Sequence, residues 1–300
     1  MESFYLILSY IIIGMLLKRF KALPDNSAMV LNAYVLYVAL PALILKSIPL
    51  LGFSSSLYVP VITPWFLLVF VILLVLFLSK ILHWSREITG ALLIILPLGN
   101  TSFLGFPMTE ALFGQQGMPY AVVYDQLGSF IALATYASLV AAIYSSKVAS
   151  PGLRDIAIKI ITFPSFIALI LGLALKGISL PDFANSLISG LSLTLVPVVM
   201  VAVGFQLRFR FSRDEMAPMA IALAIKLMLM PAVAWFLWYS FGQEGLVVNI
   251  SVFQAAMPPM ISAGAIAIMA GLAPRLVSGV IGFGVLLALL TLPVVAWLLG

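Results

Sequence analysis

The chain has no cysteine and a single histidine among 300 residues. The first absence excludes disulfides, thiol nucleophiles and Cys-ligated metals. The second leaves His83, beside Trp84 and Arg86, with no other histidine to form a His-rich metal site or an HExxH motif. Charge is almost as scarce. Asp, Glu, Lys and Arg make up 8% of the chain against 64% hydrophobic residues, too little polar surface to cover a soluble globule. No Gly-x-Ser-x-Gly elbow occurs and the few acids do not fall at metal-ligand spacings, so neither an enzyme nor a resident cofactor or metal is expected. In a chain of this composition the net charge of +5 says little about nucleic acid; membrane lipids are the expected surroundings and no nucleic-acid partner is expected, and the distribution of the charge matters more.

What the chain has instead is apolar blocks of about 20 residues, the length that crosses a bilayer core as a helix. Charges, glycines and prolines punctuate ten of them, at 2–18, 26–46, 59–82, 87–113, 118–144, 158–176, 182–206, 216–239, 245–271 and 274–298. The first reads as a transmembrane helix rather than a signal peptide, because Glu2 stands where a basic start would be and Lys18, Arg19 and Lys21 abut its end. Loops on one side hold Lys18, Arg19, Lys21, Lys80, Arg86, Lys147, Arg154, Lys159, Arg208, Arg210, Arg213 and Arg275; the other side holds only Lys46 and Lys176. The positive-inside rule then places both termini outside and the basic loops in the cytoplasm of a plasma-membrane protein. Trp65, Trp84, Trp235, Trp238 and Trp297 lie near span ends and suit an interfacial belt.

An offset of 157 residues aligns the halves of the chain. Pro24-Asp25 matches Pro181-Asp182, Glu87 matches Glu244, Gly114 matches Gly271, and Pro41 and Pro197 agree within one residue. Each half holds an odd number of spans, so the second must enter the membrane with opposite polarity. The expected fold is an all-α polytopic membrane protein of ten transmembrane helices in two inverted five-helix repeats, residues 1–144 and 158–300, joined by a cytoplasmic linker at 145–157. Inverted repeats with interrupted helices are the architecture of secondary transporters.

The interruptions are legible. "LPLGNTSFLGFP" places Asn100, Thr101, Ser102, Gly105 and Pro107 in the fourth span, with Asn100 about 20 Å along it and so near the bilayer midplane. Glycine and proline weaken that turn, predicting an unwound stretch over Asn100–Phe106. The ninth span carries Met257, Pro258 and Pro259 at the matching depth. Either break alone reads as a proline kink. Together, as crossed, broken helices 4 and 9, they predict half-helix ends and free amides that bind a carboxylate.

"NTSFLGFP", "AYVLYVALPALI" in the second span and "AAMPPMISAG" in the ninth resemble the auxin efflux carrier family, over the whole of Met1–Gly300. The resemblance implies a fold related to the bile acid:sodium symporters. A scaffold of spans 1, 2, 6 and 7 would support a transport part of spans 3–5 and 8–10 that moves elevator-fashion in a homodimer. It implies transport of a small organic anion, auxin-like or a mono- or dicarboxylate, with Asn100 on the carboxylate and Pro107 and Pro258 holding the crossover. The long cytoplasmic loop of many plant members is missing here, and regulation through it is not expected.

Two ionisable groups fall deep within spans, where charge is expensive and usually functional. Asp125 in the fifth span is a candidate for proton coupling or else a structural pair or interfacial acid; Lys226 in the eighth could neutralise Asp125, draw an anion inward or serve as a structural partner. Asn32, Tyr34 and Tyr37 could meet the site from the scaffold side or serve helix packing. Glu110 reads as interfacial. A sodium-coupled organic-anion symporter and a cation/proton antiporter are the alternatives, although the ninth span offers only Gln254 and Ser262 as side-chain oxygens after Val252. A channel would differ from a carrier in lacking counterflow.

Overall fold

With no water to satisfy backbone N–H and C=O groups inside a bilayer, each apolar segment must close its hydrogen bonds within itself. Helix is the result. The computed structural model describes residues 2–51, 57–145, 152–207 and 215–300, and among these it is all-helical, with no strand. Lys147, Arg208, Arg210, Arg213 and residues 146–151 of the predicted linker lie outside the described residues.

In chain order the helices are α1 (Glu2–Arg19), α2 (Ser27–Leu50), α3 (Tyr58–Ile81), α4 (Arg86–Ile95), α5 (Phe106–Phe113), α6 (Gln115–Tyr144), α7 (Leu153–Ile161), α8 (Pro164–Ala174), α9 (Asp182–Gln206), α10 (Met216–Ser240), α11 (Leu246–Ala255), α12 (Ile261–Met269) and α13 (Pro274–Leu298). Six of them, α2, α3, α6, α9, α10 and α13, are long and apolar enough to cross a membrane. A seventh span results if α7 and α8, bent by 56°, count as one. The protein is thus a helical membrane protein with several spans. The other predicted spans are not continuous apolar rods: α1 has charged Glu2, Lys18 and Arg19 at its ends, and none of α4, α5, α11 and α12 exceeds 10 residues.

The helices gather into two units, each drawing on both halves of the chain. Unit 1 comprises Met1–Ser54, Ser102–Val122 and Ile158–Leu207; unit 2 comprises Ser55–Thr101, Val123–Ala157 and Arg208–Gly300. The division passes between Thr101 and Ser102, inside the polar run of the fourth predicted span.

Within unit 1, α1 lies against the C-terminal half of α9 with almost no side chain between them. A Cβ on Gly14 would land on the Val201 carbonyl oxygen, and one on Gly204 would land on the Ile11 carbonyl. Small residues permit such backbone approach where apolar contact with lipid would otherwise compete equally well. Lys18 Nζ donates to the Leu207 carbonyl at 3.0 Å, satisfying an acceptor just past the end of α9.

Within unit 2, Gly128 of α6 fits against the Pro64 ring of α3, and Trp65 Nε1 donates to the Leu127 carbonyl at 3.0 Å. Trp238 Nε1 donates to Thr63 Oγ1 at 2.8 Å, and that ring is buried. Trp238 is therefore a core residue and not part of an interfacial belt, because its indole N–H has a protein acceptor within the unit.

Gly14→Ala should overpack the α1–α9 contact at a cost of about 1–3 kcal/mol, lowering the melting temperature of the detergent-solubilised protein. Gly190→Ala, which faces open space, should leave it unchanged or slightly raised. Tryptophan fluorescence during heating checks both.

Candidate functional site

α4 begins at Ser85, whose hydroxyl accepts the Ile88 N–H at 3.2 Å as an N-cap. It stops at Ile95 because Pro97 has no N–H to give the Leu93 carbonyl four residues back. That carbonyl is not left bare: the Tyr136 hydroxyl of α6 donates to it at 2.9 Å. The break therefore falls at 96–100, ahead of the predicted Asn100–Phe106. A π-helical turn, Thr101–Gly105, already runs through the predicted gap. Pro107 follows it within the same helical run, since Gly105 already has right-handed helical backbone angles, and its missing N–H falls just past the π-helical turn.

α11 ends at Ala255, and Pro258 and Pro259 follow before α12 resumes at Ile261. Two consecutive residues without donors cannot continue a helix, but their carbonyls still need partners. The two breaks supply each other. Asn100 N–H donates to the Pro258 carbonyl at 2.7 Å and Met260 N–H donates to the Leu98 carbonyl at 2.9 Å, an antiparallel pairing centred on Gly99 and Pro259. Residues 91–101 and 250–260 are buried throughout. Gly284 of α13 lets that helix approach, a Cβ there reaching to 3.1 Å from the Pro259 ring.

Five polar side chains gather around this pairing, all within unit 2. Asn100 is 2% exposed and its Nδ2 has no hydrogen-bond partner among the described residues. Next to it, the Thr101 hydroxyl donates to Asp125 Oδ1 at 2.5 Å, while Gln126 Nε2 donates to Asp125 Oδ2 at 2.7 Å. On the other flank is Lys226, 1% exposed. Its Nζ lies 3.4 Å from where a Cβ on Gly99 would stand. Its hydrogen bond goes to Met230 Sδ at 3.4 Å, and among the described residues no carboxylate is within ion-pair distance. Lys226 and Asp125 thus flank Asn100 instead of pairing with each other.

Thr101, Asp125 and Lys226 share a backbone feature. Each stands in a π-helical turn: Thr101–Gly105, Asp125–Ser129 and Ile225–Leu229. Such turns widen the helix by one residue and recur at functional sites.

Of the residues singled out from the sequence, unit 2 brings together Asn100, Thr101, Asp125, Lys226, Met257, Pro258 and Pro259. Ser102, Gly105, Pro107, Asn32, Tyr34 and Tyr37 belong to unit 1. There Pro107 lines a groove of about 280 Å³ with Tyr10, Lys46 and Glu110, and Glu110 accepts a hydrogen bond from Gln115. The Tyr34 hydroxyl is shared with Thr194 at 2.9 Å, Tyr37 is 64% exposed, and Asn32 Oδ1 is buried without a partner among the described residues. Sequence reasoning passed over Pro97, Gly99 and Tyr136. Pro97 was visible in "LPLGN" and was the better signal for the break; nothing in the sequence marks Tyr136 as the donor that compensates it.

Two proline-interrupted segments paired inside an all-helical membrane chain are a transporter feature, and comparison with known proteins decides the family. The pattern of the membrane transport protein family matches residues 1–296. The chain belongs to that family. It is the auxin efflux carrier family that the fourth- and ninth-span motifs resemble, a family of transporters and not of enzymes. An uncharacterized transporter of Methanothermobacter thermautotrophicus is 29% identical over 302 residues, covering 97% of this chain and 96% of its own length. An uncharacterized transporter of Methanocaldococcus jannaschii is 27% identical over 309 residues, covering all of this chain and 98% of its own.

Thr101→Val removes one of the donors to a buried carboxylate at nearly constant shape. A hydrogen bond to a charged group contributes about 1.5–3 kcal/mol, so the melting temperature should fall by several degrees. Thr101→Ser, which keeps the hydroxyl, should melt close to the parent protein.

Proposed function

We propose that this membrane transport protein is a secondary carrier of small organic anions, with the anion bound where the two broken segments pair. The observation that carries the reading is a buried lysine, Lys226, whose Nζ stands beside the Gly99–Pro259 pairing and has a thioether as its hydrogen-bond partner, close in the chain fold to the Asn100 amide, whose Nδ2 is unused. Buried charge is tolerated only when it is compensated. A substrate carboxylate would supply the compensation here, with Asn100 Nδ2 as a second donor.

The wider reading is a ten-span inverted repeat in which α4 with α5, α7 with α8, and α11 with α12 each form one interrupted or bent span. The matched breaks and the 157-residue offset support it. Unit 2, which contains the whole pairing, would be the part that moves in an elevator cycle, in a homodimer in the plasma membrane with both termini extracytoplasmic. Asp125, its oxygens held by Thr101 and Gln126, is the group proposed to carry a coupling proton.

Thermal stability of the purified protein against a panel of mono- and dicarboxylates, in sodium or in choline, tests this. A bound anion stabilises the folded state by mass action, about 2.7 kcal/mol at a hundredfold excess over Kd. At least one acid should raise the melting temperature in choline, and Asn100→Ala should remove the shift. Stabilisation that requires sodium would favour a sodium-coupled symporter of the bile acid type, and none by any carboxylate would overturn the anion reading.

A further inference from the structure

The charges around the pairing also limit the valence of what binds. Resting on the anion reading above, we infer that the site takes a monoanion, one carboxylate on an apolar body, and discriminates against dianions. The supply of positive charge is the first reason. The described basic residues of unit 2 are Lys80, Arg86, Arg154, Lys226 and Arg275, and of these only Lys226 is buried; the others are exposed. One ammonium compensates one carboxylate.

The second reason is the acid already in place. Both oxygens of Asp125 already accept hydrogen bonds, from Thr101 and Gln126, so those two donors are taken and a second carboxylate arriving there meets an acid with no donor left for it. Thr101 is two residues from Gly99, so the two Cα atoms are at most about 7.6 Å apart. A ligand anchored at Lys226 beside Gly99 extends either toward Asp125, where a second carboxylate meets that acid, or away into apolar surroundings. Those surroundings include Met230, bonded through sulfur to Lys226, and Met257, whose Cβ is 3.4 Å from where a Gly99 Cβ would stand. Both are buried. Thioether side chains are flexible and polarisable and adapt to an apolar ligand, but they offer nothing to a second carboxylate. Gln126 Oε1 and the Asp125 oxygens are acceptors and add no donor for it.

Matched pairs of acids separate valence from size. Pentanoate against glutarate and hexanoate against adipate are fully ionised at neutral pH and differ mainly by one carboxylate. In thermal-shift titrations of the whole protein, each monoanion should reach half of its maximal shift at about one-tenth or less of the concentration its dianion needs. Lys226→Met should abolish the shift by either acid, while its ligand-free melting temperature equals or exceeds the parent's, because no ion pair is lost. Lys226→Arg, which keeps the charge, should retain monoanion binding. Glutarate binding as tightly as pentanoate, still dependent on Asn100, would overturn the monoanion inference and leave the anion site standing. No stabilisation by any of the four acids, nor by any other carboxylate of the wider panel, would overturn both. A ligand-free Lys226→Met protein that melts well below the parent, with Lys226→Arg retaining the parent's melting temperature, would show that the lysine's charge is structural, and would overturn the inference too.

Discussion

Inside a membrane a broken helix must find partners for the backbone groups it frees, and the pairing of Leu98–Asn100 with Pro258–Met260 meets that requirement. Proline arranges it from both sides. Pro97 ends α4 and releases the Leu93 carbonyl to Tyr136. Pro258 and Pro259 remove two donors in succession, so that only the amides of Asn100 and Met260 are needed across the gap. Glycine then makes room: Gly99 carries no side chain where Lys226 arrives, and Gly284 lets α13 close over the two prolines. Filling either position, or giving Pro97 an N–H, would alter which backbone groups meet at this depth.

The pairing sets the electrostatics as well. It brings Asn100 and Thr101 beside buried groups of opposite charge that do not neutralise one another directly. Asp125 is satisfied by neutral donors from Thr101 and Gln126, whereas Lys226 has a thioether. A low-dielectric surround raises the stakes of both. The difference between them gives the proposed chemistry its direction: the acid already accepts from two neutral donors, and the base has only a thioether where an anion would compensate it. A carrier must stabilise two states differently through its substrate. An ammonium whose compensation arrives with the ligand is a physical means of doing so.

The sequence made the membrane class, the family and the two breaks readable, because each follows from strong local chemistry: long apolar blocks, a polar run with glycine and proline, and two adjacent prolines. Pro107 illustrates where that reasoning slipped. The chain leaves the helix at Pro97 instead, and Pro107 is carried inside a helical run that has already begun with the π-helical turn Thr101–Gly105. The nearness of Lys226 to Gly99 was not readable, since it depends on packing between segments 127 residues apart in the chain. Nor were the π-helical turns, which have no periodicity signal of their own. The Tyr34 hydroxyl is engaged by Thr194, a contact that no local pattern announces.

Counterflow in proteoliposomes is the most direct test that this crossover is a carrier's anion site. Vesicles loaded with unlabelled pentanoate would be diluted into a trace of labelled pentanoate, with parent protein or Asn100→Ala. If the crossover carries the anion, the parent should show a transient internal accumulation of label that saturates with concentration, and Asn100→Ala should reduce it to the level of protein-free vesicles. Accumulation unchanged in Asn100→Ala, or a label flux that rises linearly with concentration and shows no overshoot, would contradict it.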